Sequence, residues 1–181
     1  MTVVADQVVI RRARREDASA IADVHLRSWQ QTYQGILSAA YLAALETTLE
    51  RRVAWFSEAL GKGVPSIHVA EFDGRLLGFC SCGASRDEDV PAATGELMAI
   101  YLSAEGWGQG IGSHLWGRAR EELEKGGYRA VTAWVLDGNV RAARFYRNAG
   151  FKADAASQRT FEENGEPLPL TRFYLALADY A

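Results

Sequence analysis

From Thr94 to Leu136 the chain reads TGELMAIYL, then SAEGWGQG, then IGSHLWGRAREELEKGG, then YRAVTAWVL. Thr94–Leu102 and Ala130–Leu136 are short apolar runs with the residues of strands. Between them lies Gly106-Trp107-Gly108-Gln109-Gly110-Ile111-Gly112, followed by a helical pattern that reaches Lys125 and stops at Gly126-Gly127. Strand, glycine-rich turn, helix and strand make a crossover unit, which joins two parallel strands in the right-handed sense.

Working outward, the N-terminal side predicts a strand over Val8 to Ala13. Asp17 is placed to cap a helix reaching Gln30, with an apolar stripe of Ala18, Ile21, Ala22, His25, Leu26 and Trp29. Ser38 caps a second helical stretch, and Thr47 or Thr48 opens a third to Leu60, stopped by Gly61-Lys62-Gly63. Ser66 to Glu71 and Arg75 to Ala84 read as strands joined by the hairpin signal Asp73-Gly74. Beyond the crossover, Asn139 to Ala149 reads as a helix ended by Gly150. Strands near Phe151 to Thr160 and Leu168 to Leu177 close the chain. The order implies an α/β (α+β) fold with a mixed, mostly antiparallel central sheet of about seven strands and helices on both faces. One domain is expected over residues 1–181, with its core at about 8–177.

Composition narrows the function. The 181 residues are 48% hydrophobic and 24% charged, as in an ordinary globular domain. A chain of this length buries roughly 70% of its unfolded surface without staples. Its net charge of −3 lacks the basic excess of a nucleic-acid binder. No apolar run approaches the ~18 residues of a membrane span. The first ten residues lack the pattern of a secretory signal, so a cytoplasmic location is expected. Cys80 and Cys82 are two apart on one strand, on the same face, which suits buried small apolar residues better than a disulfide. The three histidines have no metal-ligand spacing, and no metal site is expected.

Gly108, Gly110 and Gly112 alternate at a strand–helix junction. Glycines admit close backbone approach, and a helix N-terminus offers free N–H groups and positive partial charge. Together they suit a diphosphate, although the pattern alone does not separate such a cradle from a plain turn. The Walker pattern fails, since no Gly-Lys-Ser/Thr follows. The dinucleotide fingerprint fails on spacing and finds Ser113 where glycine or alanine is needed. In the last helix Asn139 and Tyr146 are seven apart and share a face. Ala142 and Ala143 lie between them and leave a groove for a thin linear molecule. The same residues also read as a helix cap and a half-buried phenol.

These residues resemble the GNAT-type N-acetyltransferases, which use acetyl-CoA. Trp107-Gly108-Gln109-Gly110-Ile111-Gly112 is similar to the family's R/Q-x-x-G-x-G/A motif. Asn139, Ala142-Ala143-Arg144-Phe145-Tyr146 and Gly150-Phe151 are similar to its second signature. One departure is Trp107, where the family places an Arg or Gln side chain on the diphosphate. The resemblance implies that Ile100, Tyr101 and Leu102 offer strand backbone to the pantetheine. It implies that Gln109 to Ser113 hold the diphosphate, that Asn139 bonds the pantetheine, and that Ala142, Phe145 and Tyr146 line the cofactor groove.

Amine attack on a thioester requires loss of a proton from an amine with a pKa near 10.4. Glu96, eleven residues before Trp107, is the expected base, at a spacing similar proteins often use. Tyr146 is the expected acid at the sulfur, with its pKa depressed by the site or the step driven by product release. Backbone near Ile100 to Leu102 is the expected oxyanion donor. No cysteine is placed to carry the acetyl group. Direct transfer from acetyl-CoA to a primary amine of a small molecule or peptide, in a ternary complex, is therefore expected. Trp29 and Tyr33 are the expected acceptor-side residues, near Gln30, Thr32 and Tyr41. A non-catalytic acyl-CoA sensor on the same fold and a nicotinamide-dependent oxidoreductase are the alternatives. A homodimer is compatible with the late strands; nucleic-acid and membrane partners are not expected.

Overall fold

The computed structural model describes residues 7–163 and 165–177. Seven strands form one sheet: β1 (Val9–Arg12), β2 (Ser66–Phe72), β3 (Arg75–Ala84), β4 (Thr94–Leu102), β5 (Ala130–Leu136), β6 (Lys152–Glu163) and β7 (Glu166–Ala176). Five helices accompany them: α1 (Ala18–Thr32), α2 (Ala39–Ala44), α3 (Leu49–Lys62), α4 (Ile111–Lys125) and α5 (Val140–Asn148). The sheet order is β1-β2-β3-β4-β5-β7-β6. Every neighbouring pair is antiparallel except β4 and β5, which α4 connects as the crossover. No helix among the described residues is long and apolar enough to cross a membrane.

Local chemistry explains the boundaries. Asp73 and Gly74 both take positive φ, 49° and 73°, which gives the β2–β3 hairpin the backbone twist of a tight primed turn. Gly63, within the expected stop, ends α3 in the left-handed conformation, and the helix reaches Lys62, two residues beyond the expected Leu60. Ser38 Oγ accepts the Tyr41 N–H at 3.2 Å and caps α2. Asp17 does not cap α1 with its side chain. Its carboxylate instead takes both terminal nitrogens of Arg11, at 2.7 and 2.9 Å, and the Arg14 N–H at 2.7 Å. A forked, charge-assisted contact outcompetes a single helix N–H.

The two faces carry separate cores. Leu115, Ala119 and Leu123 of α4 pack on Cys80, Cys82, Leu97 and Val131. Ile21 and Ala22 of α1 and Phe56 of α3 pack on Ile67, Val69 and Phe79 from the opposite face. Both cysteines are free and buried, and burial pushes the Cys82 thiol up to about 12 and Cys80 further.

One irregularity places the functional site. On the β3 side of β4, Leu97 pairs with Cys82 and Ala99 with Ser81, so Met98 is an extra residue. Such a bulge bends its strand. On the other side β4 and β5 pair only through Thr94–Ala130, Gly95–Val131 and Glu96–Thr132. Beyond that the strands part, and β4 from Leu97 to Leu102 keeps a hydrogen-bonded neighbour only in β3. Gly78 supports this bend closely. A Cβ there would lie 2.4 Å from Leu102 Cδ2 and 2.6 Å from the Tyr101 carbonyl oxygen. Gly78→Ala is expected to destabilise by about 1–3 kcal/mol in urea unfolding. Gly117→Ala, on α4 with nothing within 4 Å of the new methyl, is expected to do the opposite by about 0.5–1 kcal/mol.

Candidate active site

The parted ends of β4 and β5 enclose a cavity of about 370 Å³. Its walls are β4, the end of β5, the glycine-rich turn and the inner face of α5. The unpaired edge of β4 offers backbone groups to an extended ligand, as an added strand would use them.

The turn forms one end. Gly108 and Gly110 have φ of 75° and 79°, and a Cβ at either would meet nothing within 4 Å, so the constraint is backbone conformation. Among the described residues, the N–H groups of Gly108, Gln109, Gly110, Ile111 and Gly112 donate to no backbone acceptor. Five free N–H groups at the start of α4 make a cradle for an anion. Gly112 serves packing instead. A Cβ on it would sit 3.3 Å from Phe145 Cε2, so its absence lets α5 approach α4.

Trp107 spends its polar group inside the protein: its indole Nε1–H donates to the Leu102 carbonyl at 3.0 Å. Over its ring lies the guanidinium of Arg141, with Cζ 3.3 Å from the centroid. A cation from α5 therefore sits on the residue that replaces the motif's usual polar side chain. Arg141 and Arg144 both line the cavity, and neither has a carboxylate partner within 4 Å among the described residues. The cradle end is thus cationic as well as rich in N–H donors.

Most of the cofactor-side residues named from the sequence meet on this cavity: Ile100, Tyr101, Leu102, Trp107, Gly108, Gly110, Gly112, Ser113, Asn139, Ala142, Phe145 and Tyr146. Ile111 does not line it; its side chain is fully buried beneath α4. Gln109 does not line it either. Asn139 caps α5, its Oδ1 accepting the Ala142 N–H at 3.0 Å, and it lines the cavity. Cap and wall are therefore one residue. Met98, Trp134, Leu136, Arg141, Arg144 and Asn148 also line the cavity. The sequence reading did not assign them to the site: the splay of β4 from β5 opens it to Met98, Trp134 and Leu136, and the packing of α5 beside the turn brings Arg141, Arg144 and Asn148.

Tyr146 lies beneath α5 among Phe145, Phe151 and Phe173, with ring centroids 5.3–5.7 Å away. Among the described residues its hydroxyl makes no hydrogen bond, and the residue lines the cavity. Burial raises the phenol above its ordinary value, assisted by Tyr101, Cys80 and Glu96. The expected depression of its pKa is thereby overturned: the apolar rings disfavour a phenolate, and Tyr146 is a neutral O–H donor at physiological pH.

Glu96 is not on the cavity wall. Its side chain is 1% exposed, and Arg86 engages both oxygens, through Nη2 at 2.5 Å to Oε1 and Nε at 3.0 Å to Oε2. The Arg86 backbone N–H adds a third bond at 3.1 Å. The next residue, Asp87, accepts the Trp134 indole N–H at 3.0 Å, and Arg172 holds Asp89 at 2.6 Å. Glu96 thus anchors the loop that joins β3 to β4.

On the acceptor side, Tyr33 lines the cavity and Trp29 stands behind it, 4.9 Å between ring centroids. His25 packs 4.9 Å from Tyr101, and burial with Arg52 pushes its pKa down to about 3. The ordinary value is near 6.5. Below that pH the unfolded chain binds a proton the folded one refuses, so stability is lost as pH falls from 6.5 toward 3. Between pH 6.5 and 5 this amounts to about 2 kcal/mol. In urea unfolding, His25→Gln is expected to lose stability over that interval by about 2 kcal/mol less than the parent.

A glycine cradle at a helix start, a splayed pair of parallel strands and a tyrosine at the wedge suit an extended ligand with an anionic end, as the resemblance in sequence implies. Comparison with known proteins agrees. The acetyltransferase (GNAT) family model matches residues 19–151. The uncharacterized N-acetyltransferase YuaI of Bacillus subtilis (strain 168) is 38% identical over 159 residues, 87% of each chain. The crystal structure of an N-acetyltransferase from Staphylococcus aureus Mu50 is 28% identical, covers 94% of this chain and 99% of its own, and has a TM-score of 0.71. The PaiA N-acetyltransferase of Thermoplasma acidophilum, solved with coenzyme A, shares the fold at 22% identity and a TM-score of 0.72, over 93% of this chain and 98% of its own. The chain belongs to the GNAT acetyltransferase family, and its enzyme class is acetyl-CoA-dependent N-acetyltransferase.

Proposed function

We propose that this protein moves the acetyl group of acetyl-CoA directly to a primary amine of a small molecule or peptide, both bound at once. The observation that carries the reading is the cavity itself. An anion cradle lies at one end, a free strand edge runs along it, and a neutral phenol sits where that edge meets α5. The cradle N–H groups and Arg141 hold the diphosphate. The edge of β4 and the Asn139 amide hold the pantetheine. The β4 backbone near Ile100 to Leu102 stabilises the oxyanion as the amine nitrogen bonds to the carbonyl carbon. The carbon–sulfur bond then breaks, and the Tyr146 O–H donates to the departing sulfur. The amine proton leaves through water, because Arg86 occupies Glu96. Glu96 serves this reading as the anchor of the Arg86 loop.

Thermal unfolding with acetyl-CoA, CoA or NADH tests the reading. Ligand at ~100 times Kd stabilises by about 2.7 kcal/mol. A raised midpoint with both CoA species and none with NADH is expected. A response to NADH alone would overturn it.

The stacked pair has its own consequence. Trp107→Ala and Arg141→Gln are each expected to weaken CoA about fivefold in calorimetry. The double variant should fall well short of the product, because both changes remove one clasp.

A further inference from the structure

The cavity wall opposite the cradle includes Thr32, Tyr33 and Tyr101. Behind it, on the α1–α3 side, lies the guanidinium of Arg52. Its Nη1 is 2.9 Å from His25 Nδ1, its Nε donates to Thr48 Oγ1 at 2.8 Å, and its Cζ is 5.8 Å from the Trp29 ring centroid. Four described arginines are not exposed: Arg11, Arg52, Arg120 and Arg172. Arg11, Arg120 and Arg172 each hold a carboxylate at 2.6–2.8 Å. Arg52 has none within 4 Å among the described residues. Burial accordingly pushes its pKa down.

The surrounding groups do not supply the missing charge. Glu163, the acid that acts on Arg52, accepts the Tyr41 hydroxyl at 2.9 Å and faces Arg51 at 3.8 Å. His25 is neutral. A second observation points the same way. Among the described residues, the buried indole N–H of Trp29 makes no hydrogen bond of good geometry; the group it faces is the Tyr101 hydroxyl. Its ring stands 6.5 Å from Tyr101 and 4.9 Å from Tyr33, which line the cavity. A guanidinium without a carboxylate and an N–H donor without a well-formed hydrogen bond thus lie at the same indole ring, one layer behind the acceptor wall. Buried donors of this kind discriminate strongly for a matching acceptor.

We propose that Arg52 and the Trp29 N–H form an anion subsite for the acceptor, and that the acceptor is an amino acid whose carboxylate occupies it. The inference rests on the N-acetyltransfer reading and narrows it. A polyamine or aminosugar brings only positive charge toward Arg52 and is disfavoured.

The test uses matched acceptors at saturating acetyl-CoA: each standard amino acid, its neutral carboxamide and its decarboxylated amine. The rate of thiol release is followed, and the same probes are titrated onto the enzyme–CoA complex by calorimetry. At least one amino acid is expected to exceed both its counterparts tenfold or more in kcat/KM and to bind correspondingly tighter. Arg52→Gln should bring that ratio to within about threefold of one, while Arg52→Lys keeps part of it. Trp29→Phe, which retains the ring and loses the N–H, should lower the ratio a few-fold. The CoA-induced thermal shift verifies that each variant is folded. Equal use of amino acid and carboxamide, or an unchanged ratio in Arg52→Gln, overturns the subsite and leaves the transferase reading standing. CoA binding without turnover of any amine overturns both.

Discussion

Replacing Tyr146 with phenylalanine is expected to lower kcat about 100-fold while the Kd for CoA changes by less than twofold. The variant keeps the ring that packs among Phe145, Phe151 and Phe173, so the fold and the groove remain. It removes only the hydroxyl on the cavity. Positioned proton donors contribute about 10²–10⁴-fold, and the lower end applies here. Burial holds the phenol above its ordinary pKa, so full transfer to a thiolate, near 8.5 in solution, is uphill, and in the proposed mechanism the hydroxyl acts chiefly as a hydrogen-bond donor to sulfur. Glu96→Gln is the contrasting variant. Since Arg86 already covers that carboxylate, it is expected to change kcat less than fivefold. Rapid-mixing kinetics at saturating acetyl-CoA reads both. Equal losses in the two variants would point to the carboxylate as base.

Gly110→Val is expected to raise the Kd for acetyl-CoA at least 100-fold. Gly110 stands at the entry of α4 with φ 79°, a conformation a β-branched residue strongly disfavours. Space is not the obstacle, since nothing lies within 4 Å of a new Cβ. The loop must rotate to relieve φ, and rotation turns away the N–H groups that form the cradle. A loss of about 2.7 kcal/mol in binding corresponds to 100-fold. Calorimetry with CoA measures it, and a retained fold shows that the loss belongs to the site. Gly117→Ala, elsewhere on the same helix, should bind CoA normally.

The crossover was legible because several local signals agree there. Thr94–Leu102 and Ala130–Leu136 were placed to the residue, since apolar strands bounded by glycine, polar loop or turn residues have one reading. The Asp73-Gly74 hairpin was legible because its turn demands two positive φ values. The capping role of Asp17 misled: the competitor, the Arg11 fork, comes from a neighbouring strand and leaves no local trace. The Met98 bulge was also invisible, because register is settled between strands rather than within one.

At the site, the glycines and Asn139 were legible through backbone needs they share with any chain. Glu96 was found as a carboxylate in the right place along the strand. Its state was not legible, because Arg86 reaches it from a loop whose sequence shows only charge. Trp107 looked like a loss until Arg141 appeared over its ring. Their 34-residue separation becomes contact only when α5 packs beside the turn.

Initial rates of thiol release, with acetyl-CoA and an accepted amine varied together, test direct transfer most directly. Intersecting double-reciprocal lines are expected, with no stoichiometric release of CoA before the amine is added. The two cysteines are buried in the sheet and do not line the cavity, so neither is expected to carry the acetyl. Parallel lines, with a burst of one thiol per enzyme in the absence of amine, would show an acetyl-enzyme and contradict the account.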